Sequence, residues 1–414
     1  MWKIRGKTYN LDSFLDKHPG GRKILEACKG YDDLTTSFES YHALCNMKHI
    51  EQIMVKYETG LCDNSNFTFN ENEFYRTLQK RVTDYFTDRN YKANPWWAIK
   101  SLIQFGLYFI TFLIAFYTDF NLWLRMLSAL MSGHLIIQFG FGVMHDASHM
   151  ALSHNMKVNE FLNDFWNSLA LWDSHLWTKH HAIRHHAFTG DHQLDPDVIH
   201  LKPFIRKNNN EPVEKYWKIS QIFPKTTALF TTCIFPGMFI GQGLLYHFIW
   251  SKNEYMWNMN ISSLYDIKPW QNYLKIFVII SFLYGMSFWV FLLYAIGSNI
   301  TYFMCIMPDH DTLEISNNSI NTKSQIDWGE MQVRNSGNFA TQNSWVCNMF
   351  GGINYQIEHH LFPTICHVHF QELKPIIETT CKEFNIPYSH HNSILDAIIS
   401  TLNNFSSIAS KKET

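Results

Sequence analysis

Three things are scarce in this sequence: charge of one sign, paired cysteines and an apolar N-terminus. Lysine and arginine number 34 against 36 acidic residues, a net charge of −2, so no basic signature points to nucleic acid. Charged residues make up only 17% of the chain. The eight cysteines (Cys28, Cys45, Cys62, Cys233, Cys305, Cys347, Cys366, Cys381) contain no CxxC and no evident disulfide framework, which is read as reduced, cytosol-facing thiols. Met1-Trp2-Lys3-Ile4-Arg5-Gly6 has no apolar signal core. A membrane address therefore has to come from internal segments.

What is present is histidine and long apolar blocks. Three histidine clusters stand out: His145-Asp146-Ala147-Ser148-His149, His181-Ala182-Ile183-Arg184-His185-His186, and Gln356-Ile357-Glu358-His359-His360. Histidines at i and i+4 share a helix face and aim two imidazoles at one point. A single HxxxH is more often a solvated or hydrogen-bonded pair. Three beside apolar spans are harder to dismiss, because histidine near hydrocarbon needs a partner or a function. Imidazole suits Fe, Zn, Cu and Ni alike, so ligand type alone leaves the metal open.

The apolar segments predict four membrane spans at 96–117, 122–144, 226–250 and 272–296, each about the ~20 residues a bilayer needs. Trp96, Trp97, Trp123, Trp250 and Trp270 stand at their ends, as in an aromatic belt. With four spans, the three clusters and both termini fall on one side. The loop from Met150 to Lys225 is rich in lysine and arginine, which puts that side in the cytosol. His310, after the last span, is a further candidate ligand.

Residues 1–60 read as a small soluble domain. His18-Pro19-Gly20-Gly21 is a turn whose glycines let the backbone approach a flat ligand. With His42 in Phe38-Glu39-Ser40-Tyr41-His42, it offers two axial ligands to a haem, leaving no open iron position and so a role in electron transfer. Trp2 to His42 resembles the cytochrome b5 haem-binding domain, although Asp32-Asp33-Leu34-Thr35 departs from the usual Asp-Ala-Thr and the family pattern begins ahead of Trp2. Residues 61–95 read as a polar linker with an amphipathic helix (Phe74, Leu78, Val82, Phe86) for the membrane surface or the core. Residues 96–380 hold the spans and clusters. Residues 381–414 form a cytosolic tail.

An all-histidine site fed by a tethered haem fits oxygen activation at two irons. A soluble di-iron bundle would show paired Glu-x-x-His, and none is found. A zinc hydrolase needs fewer ligands and has no use for electrons. Nearly the whole chain resembles the front-end fatty acyl desaturases, in which an N-terminal cytochrome b5 domain is fused to a membrane desaturase. His145 to His149 matches His-Asp-x-x-His. His181, His185 and His186 match His-x-x-x-His-His. Gln356 to Pro363 matches Gln-Ile-Glu-His-His-Leu-Phe-Pro throughout.

The resemblance implies a small α+β haem domain followed by an all-α polytopic membrane domain with about four transmembrane helices and a cytosolic histidine-rich cap. It implies haem b on His18 and His42, and two Fe ions on His145, His149, His181, His185, His186, His310, His359 and His360. Gln356 is a ligand or holds a ligating water. Asp146, Arg184, Asn354 and Glu358 are candidates for orienting the imidazoles, and Phe139, Phe141 and Trp177 for lining an acyl tunnel. The implied partners are an acyl-CoA or phospholipid substrate, molecular oxygen and NADH-cytochrome b5 reductase, at the endoplasmic reticulum. Hydroxylation of a lipid, or desaturation of a sphingoid base, fits the same boxes. A non-catalytic membrane haem protein and a histidine-lined metal transporter are the alternatives of other classes; only His134 clearly falls inside a span.

Overall fold

A computed structural model describes residues 1–63, 65–199, 202–207, 218–234, 255–256, 259–260, 268–285, 287–320 and 325–410. The N-terminal segment folds on a three-stranded antiparallel sheet, Trp2–Ile4, Lys7–Tyr9 and Glu58–Leu61. Its first hairpin turns through Arg5 and Gly6, both at positive φ, the conformation a two-residue hairpin needs. Trp2, Leu15, Tyr31, Leu34 and Phe38 form a small core, and Ile183 from the second histidine cluster packs into it. The haem-like domain is thus seated on the segment that carries the histidines.

The amphipathic stretch forms the helix Phe74–Phe86, with Phe74, Tyr75, Leu78, Val82 and Phe86 buried. It packs on the helices Trp328–Arg334 and Phe370–Glu383. Of the two predicted roles, core packing is the one observed. Lys92 then donates to Met150 O (2.8 Å) and Thr364 O (3.1 Å), joining the segments that follow the first and third clusters.

Among the described residues, three helices are long and apolar enough to cross a membrane: Pro95–Tyr117, Leu122–Ser148 and Phe288–Asn318. The first starts at Asn94, whose side chain accepts from Trp97 N, with Pro95 in the first turn, a strong start signal. Asn121 caps the second in the same way. Leu102, Trp123, Tyr273 and Phe288 are all more than two-thirds exposed, an apolar surface suited to lipid. On the inner side, the second and last helices cross at Gly133 and Gly297. A Cβ at either would run into the backbone of the other helix, the close approach that small residues permit.

The predicted span 272–296 is not one helix. The chain forms Pro269–Tyr284, reverses at Gly285, and returns as Phe288–His310. Gly285 presses on the backbone of Phe116, and Arg125 donates to Gly285 O at 3.0 Å. Tyr117 and Ser281 hydroxyls meet at 2.6 Å. Both helical hairpins therefore turn at the same end. Residues 299–307 belong to the returning helix, which delivers His310 to the histidine side. From residue 235 on, the predicted span 226–250 lies outside the described residues, as does Trp250. The remaining described residues are mainly helical, with two-residue parallel pairings of 67–68 with 326–327 and 338–339 with 390–391. The seven cysteines other than Cys233 are free thiols.

Candidate metal centres

The first cluster starts at the end of a π-helical turn, Gly140–His145, and continues through the short α-helix Asp146–Ser148, and the second lies on the π-helical turn Thr178–His185. A π turn aligns residues i and i+5 and is frequent at functional sites. It brings His181 and His186 onto one face, where their Nε2 atoms are 3.3 Å apart. The third cluster lies on the short helix Gln356–Leu361. Ahead of it, Gly351 and Gly352 take positive φ. A Cβ at Gly351 would collide with the backbone of Gly142, so glycine there lets the third cluster close on the first.

Eight imidazoles converge in one cage. The potential ligand nitrogens of His145, His149, His181 and His359 lie within 4.8 Å of one another. Those of His185, His310 and His360 form a second group, and His186, His359 and His360 a third between them, at the same cutoff. The centroid of the His359 ring is 4.3 Å from that of His145 and 4.6 Å from that of His186. Gln356 reaches His310 Nε2 at 2.8 Å and His360 Nε2 at 3.1 Å through its amide nitrogen. His149 Nε2, His359 Nε2, His186 Nδ1 and Gln356 Oε1 are buried without a partner. Buried polar atoms left unmatched are costly. His149 and His359 also belong to one group of closely set donors, an arrangement that fits metal ions, and the His185, His310 and His360 donors form another beside it.

The outward-facing nitrogens are held individually. His185 Nδ1 meets Asp195 (3.0 and 3.1 Å) and Asp197 (3.2 Å). His360 Nδ1 faces Gln332 Oε1 at 2.7 Å, His310 Nδ1 faces Asn335 O at 2.8 Å, and His149 Nδ1 faces Tyr41 Oη at 2.6 Å. Such partners set the tautomer that leaves Nε2 for a metal. Of the four residues expected to orient imidazoles, Asp146 holds that of His367 rather than a ring of the cage, and the other three have other partners. Asp146 accepts from His367 and Cys366. Arg184 lies over the Tyr31 and Phe188 rings. Asn354 donates to Phe339 O, and Glu358 accepts from Tyr388 and Asn338. The acidic run Asp191 to Asp197, soon after the second cluster, was the available signal for the partners of His185. Asp195→Asn is expected to lower metal occupancy or turnover about 10–100-fold, read as metal content per purified chain.

Of the tunnel candidates, Trp177 stacks on His181 with centroids 4.6 Å apart, Phe141 lies against His145 and Tyr302, and Phe139 packs on Phe105 away from the cage. His134 pairs with Thr301 and Gln138 between two membrane helices.

His18 and His42 sit apart from the cage, with ring centroids 6.1 Å from each other. Two metal–nitrogen bonds of about 2 Å plus the half-width of each ring add up to roughly that spacing. His42 Nδ1 faces Phe38 O at 2.7 Å and His18 Nδ1 faces Gly21 O at 3.3 Å, leaving both Nε2 atoms for an iron. A Cβ on Gly20 would stand 2.7 Å from the His18 ring.

Burial pulls His18 down from 6.5 to about 4 and holds His149, His181, His186, His359 and His360 well below 6.5. His185 runs the other way: burial lowers it, but Asp195 and Asp197 outweigh that and raise it. A depressed histidine binds its proton more readily unfolded, so its contribution is complete above 6.5 and is lost as pH falls towards the folded value. Metal- and haem-stripped protein is expected to melt at a lower temperature at pH 5 than at pH 7.5. An equal or higher melting temperature at pH 5 would contradict the burial of neutral imidazoles.

The sequence profile of the family described as fatty acid desaturase matches residues 121–392. That of the cytochrome b5-like heme/steroid binding domain matches residues 1–63. The acyl-lipid (8-3)-desaturase of Mortierella alpina is 28% identical over 425 residues, covering 96% of this chain and 91% of that protein. The acyl-lipid (8-3)-desaturase of Physcomitrium patens is 27% identical over 421 residues, covering 93% and 83%. An sn-1 linoleoyl-lipid 6-desaturase of Synechocystis is 28% identical over 349 residues, covering 79% and 93%.

Proposed function

The chain belongs to the fatty acid desaturase family, and we propose that it is a front-end acyl desaturase that places a cis double bond between an existing one and the carboxyl end. The observation that carries this reading is the cage itself: eight imidazoles from separate segments, meeting at the membrane-helix ends beneath a docked haem domain. Relatives named as acyl-lipid (8-3)-desaturases, matched along most of their length, support the regiochemistry.

In this reading His145, His149, His181 and His359 hold one iron, His185, His310 and His360 the other, and His186 stands between them. Gln356 occupies the open edge beside His310 and His360. Two irons, when bound, supply the oxidising power to take two hydrogens from adjacent methylenes while oxygen is reduced to water. The protein's part is to hold the imidazoles neutral, to fix their tautomers through Asp195, Gln332, Asn335 and Tyr41, and to keep bulk water out. His18 and His42 would hold the haem, which would supply one-electron transfer from NADH-cytochrome b5 reductase. Its tether keeps it at high effective concentration beside the cage. The substrate is an acyl-CoA or an acyl phospholipid, in the endoplasmic reticulum membrane, with the cap and both termini cytosolic. The chain then divides as a haem domain at 1–60, a connecting segment at 61–95, a membrane desaturase domain at 96–380 and a tail at 381–414.

The test is expression in yeast fed one polyunsaturated fatty acid at a time, with gas chromatography and mass spectrometry of total lipids. A new double bond on the carboxyl side of an existing one is expected. Hydroxylated acyl chains, or new double bonds only in long-chain bases, would overturn the assignment.

A further inference from the structure

One of the cage's outer contacts comes from the haem domain. Tyr41 Oη lies 2.6 Å from His149 Nδ1 and 3.4 Å from Ala182 O. Its ring runs nearly parallel to that of His149, at 21°. Tyr41 immediately precedes His42 in the chain. The domain is held in this register by contacts around it. Gln79 donates to Ala43 O at 2.8 Å, Arg76 pairs with buried Glu39 at 2.9 Å, and Lys23 pairs with Asp164 at 3.3 Å.

Hydrogen counting gives the Tyr41 contact a direction. His149 Nε2 is buried without a partner and faces the other imidazoles. For Nε2 to offer a lone pair, the ring's hydrogen must sit on Nδ1. Nδ1–H then donates to Tyr41 Oη, and the phenol hydrogen goes to Ala182 O. Each of these atoms is satisfied in one arrangement, and it is the arrangement that presents Nε2 to the cage.

We propose that Tyr41 is a ligand-positioning residue supplied by the haem domain: it fixes the tautomer and ring plane of His149, so the metal site is complete only with that domain docked. One peptide link then joins the residue that orients a cage imidazole to a candidate haem ligand. The inference rests on the metal-binding reading of the cage.

The test compares full-length wild type, Tyr41→Phe and Tyr31→Phe. Tyr31 lies in the same interface, under Arg184, and its hydroxyl has no hydrogen-bond partner. Chelated protein is titrated anaerobically with iron(II), and haem content and spectrum are recorded in parallel. Tyr41→Phe is expected to bind iron(II) about 10–100-fold more weakly with the haem spectrum unchanged, while Tyr31→Phe matches wild type. Wild-type affinity in Tyr41→Phe would overturn the inference. An equal loss in both variants would also overturn it, since it would mean loosened docking rather than a misplaced imidazole. If wild type bound no iron beyond its haem, the metal reading would fail and this inference with it.

Discussion

Replacing His359 with alanine is expected to abolish product formation and leave the haem untouched. His359 belongs to two of the donor groups in the cage, one with His145, His149 and His181 and one with His186 and His360. Its Nε2 is buried without a partner, so the side chain's position is explained by what it faces rather than by a protein hydrogen bond. Losing an outer partner of a metal ligand typically costs 10–100-fold. Losing a nitrogen that belongs to two donor groups should cost more, putting product below detection by gas chromatography. His18 and His42 belong to none of the donor groups that contain His359, so the haem spectrum serves as the control for folding. Normal product from His359→Ala would remove the cage from the chemistry.

His18→Ala is expected to stop turnover by a different route. The haem site has two rings with centroids 6.1 Å apart. Removing one opens the pocket to water and takes away half of the axial ligation, so haem is lost on purification. The cage histidines keep their hydrogen bonds, and non-haem metal should remain at the wild-type level. Measured together, product, haem and non-haem metal separate this variant from His359→Ala. Full activity in His18→Ala would mean that a free cytochrome replaces the fused one.

Much of this was legible in the chain because histidine beside apolar sequence is a strong pattern. The three boxes, His310 and the two haem-domain histidines stand where the structure brings imidazoles together. The helix break at Gly285 was passed over: no charge or proline interrupts the run from Tyr284 to Phe288, and the signals there were only a glycine at the helix end and Ser287 before the next helix. The expected orienting residues miss the cage rings for a geometric reason, Asp146 holding His367 instead. Asp146, Arg184 and Glu358 each neighbour a histidine in sequence, but adjacent residues on a helix point about 100° apart. Partners of the imidazoles come instead from loops and other helices, such as Asp195, Gln332 and Asn335. Tyr41 was hidden for the same reason, since its partner lies 108 positions away.

The most direct test of the central claim is the metal content of the purified full-length protein, with haem iron and non-haem iron counted separately. Two non-haem irons for each haem, with the non-haem fraction lost in His359→Ala and kept in His18→Ala, is the result this account predicts. Zinc in the cage, or haem with no other iron, would contradict it.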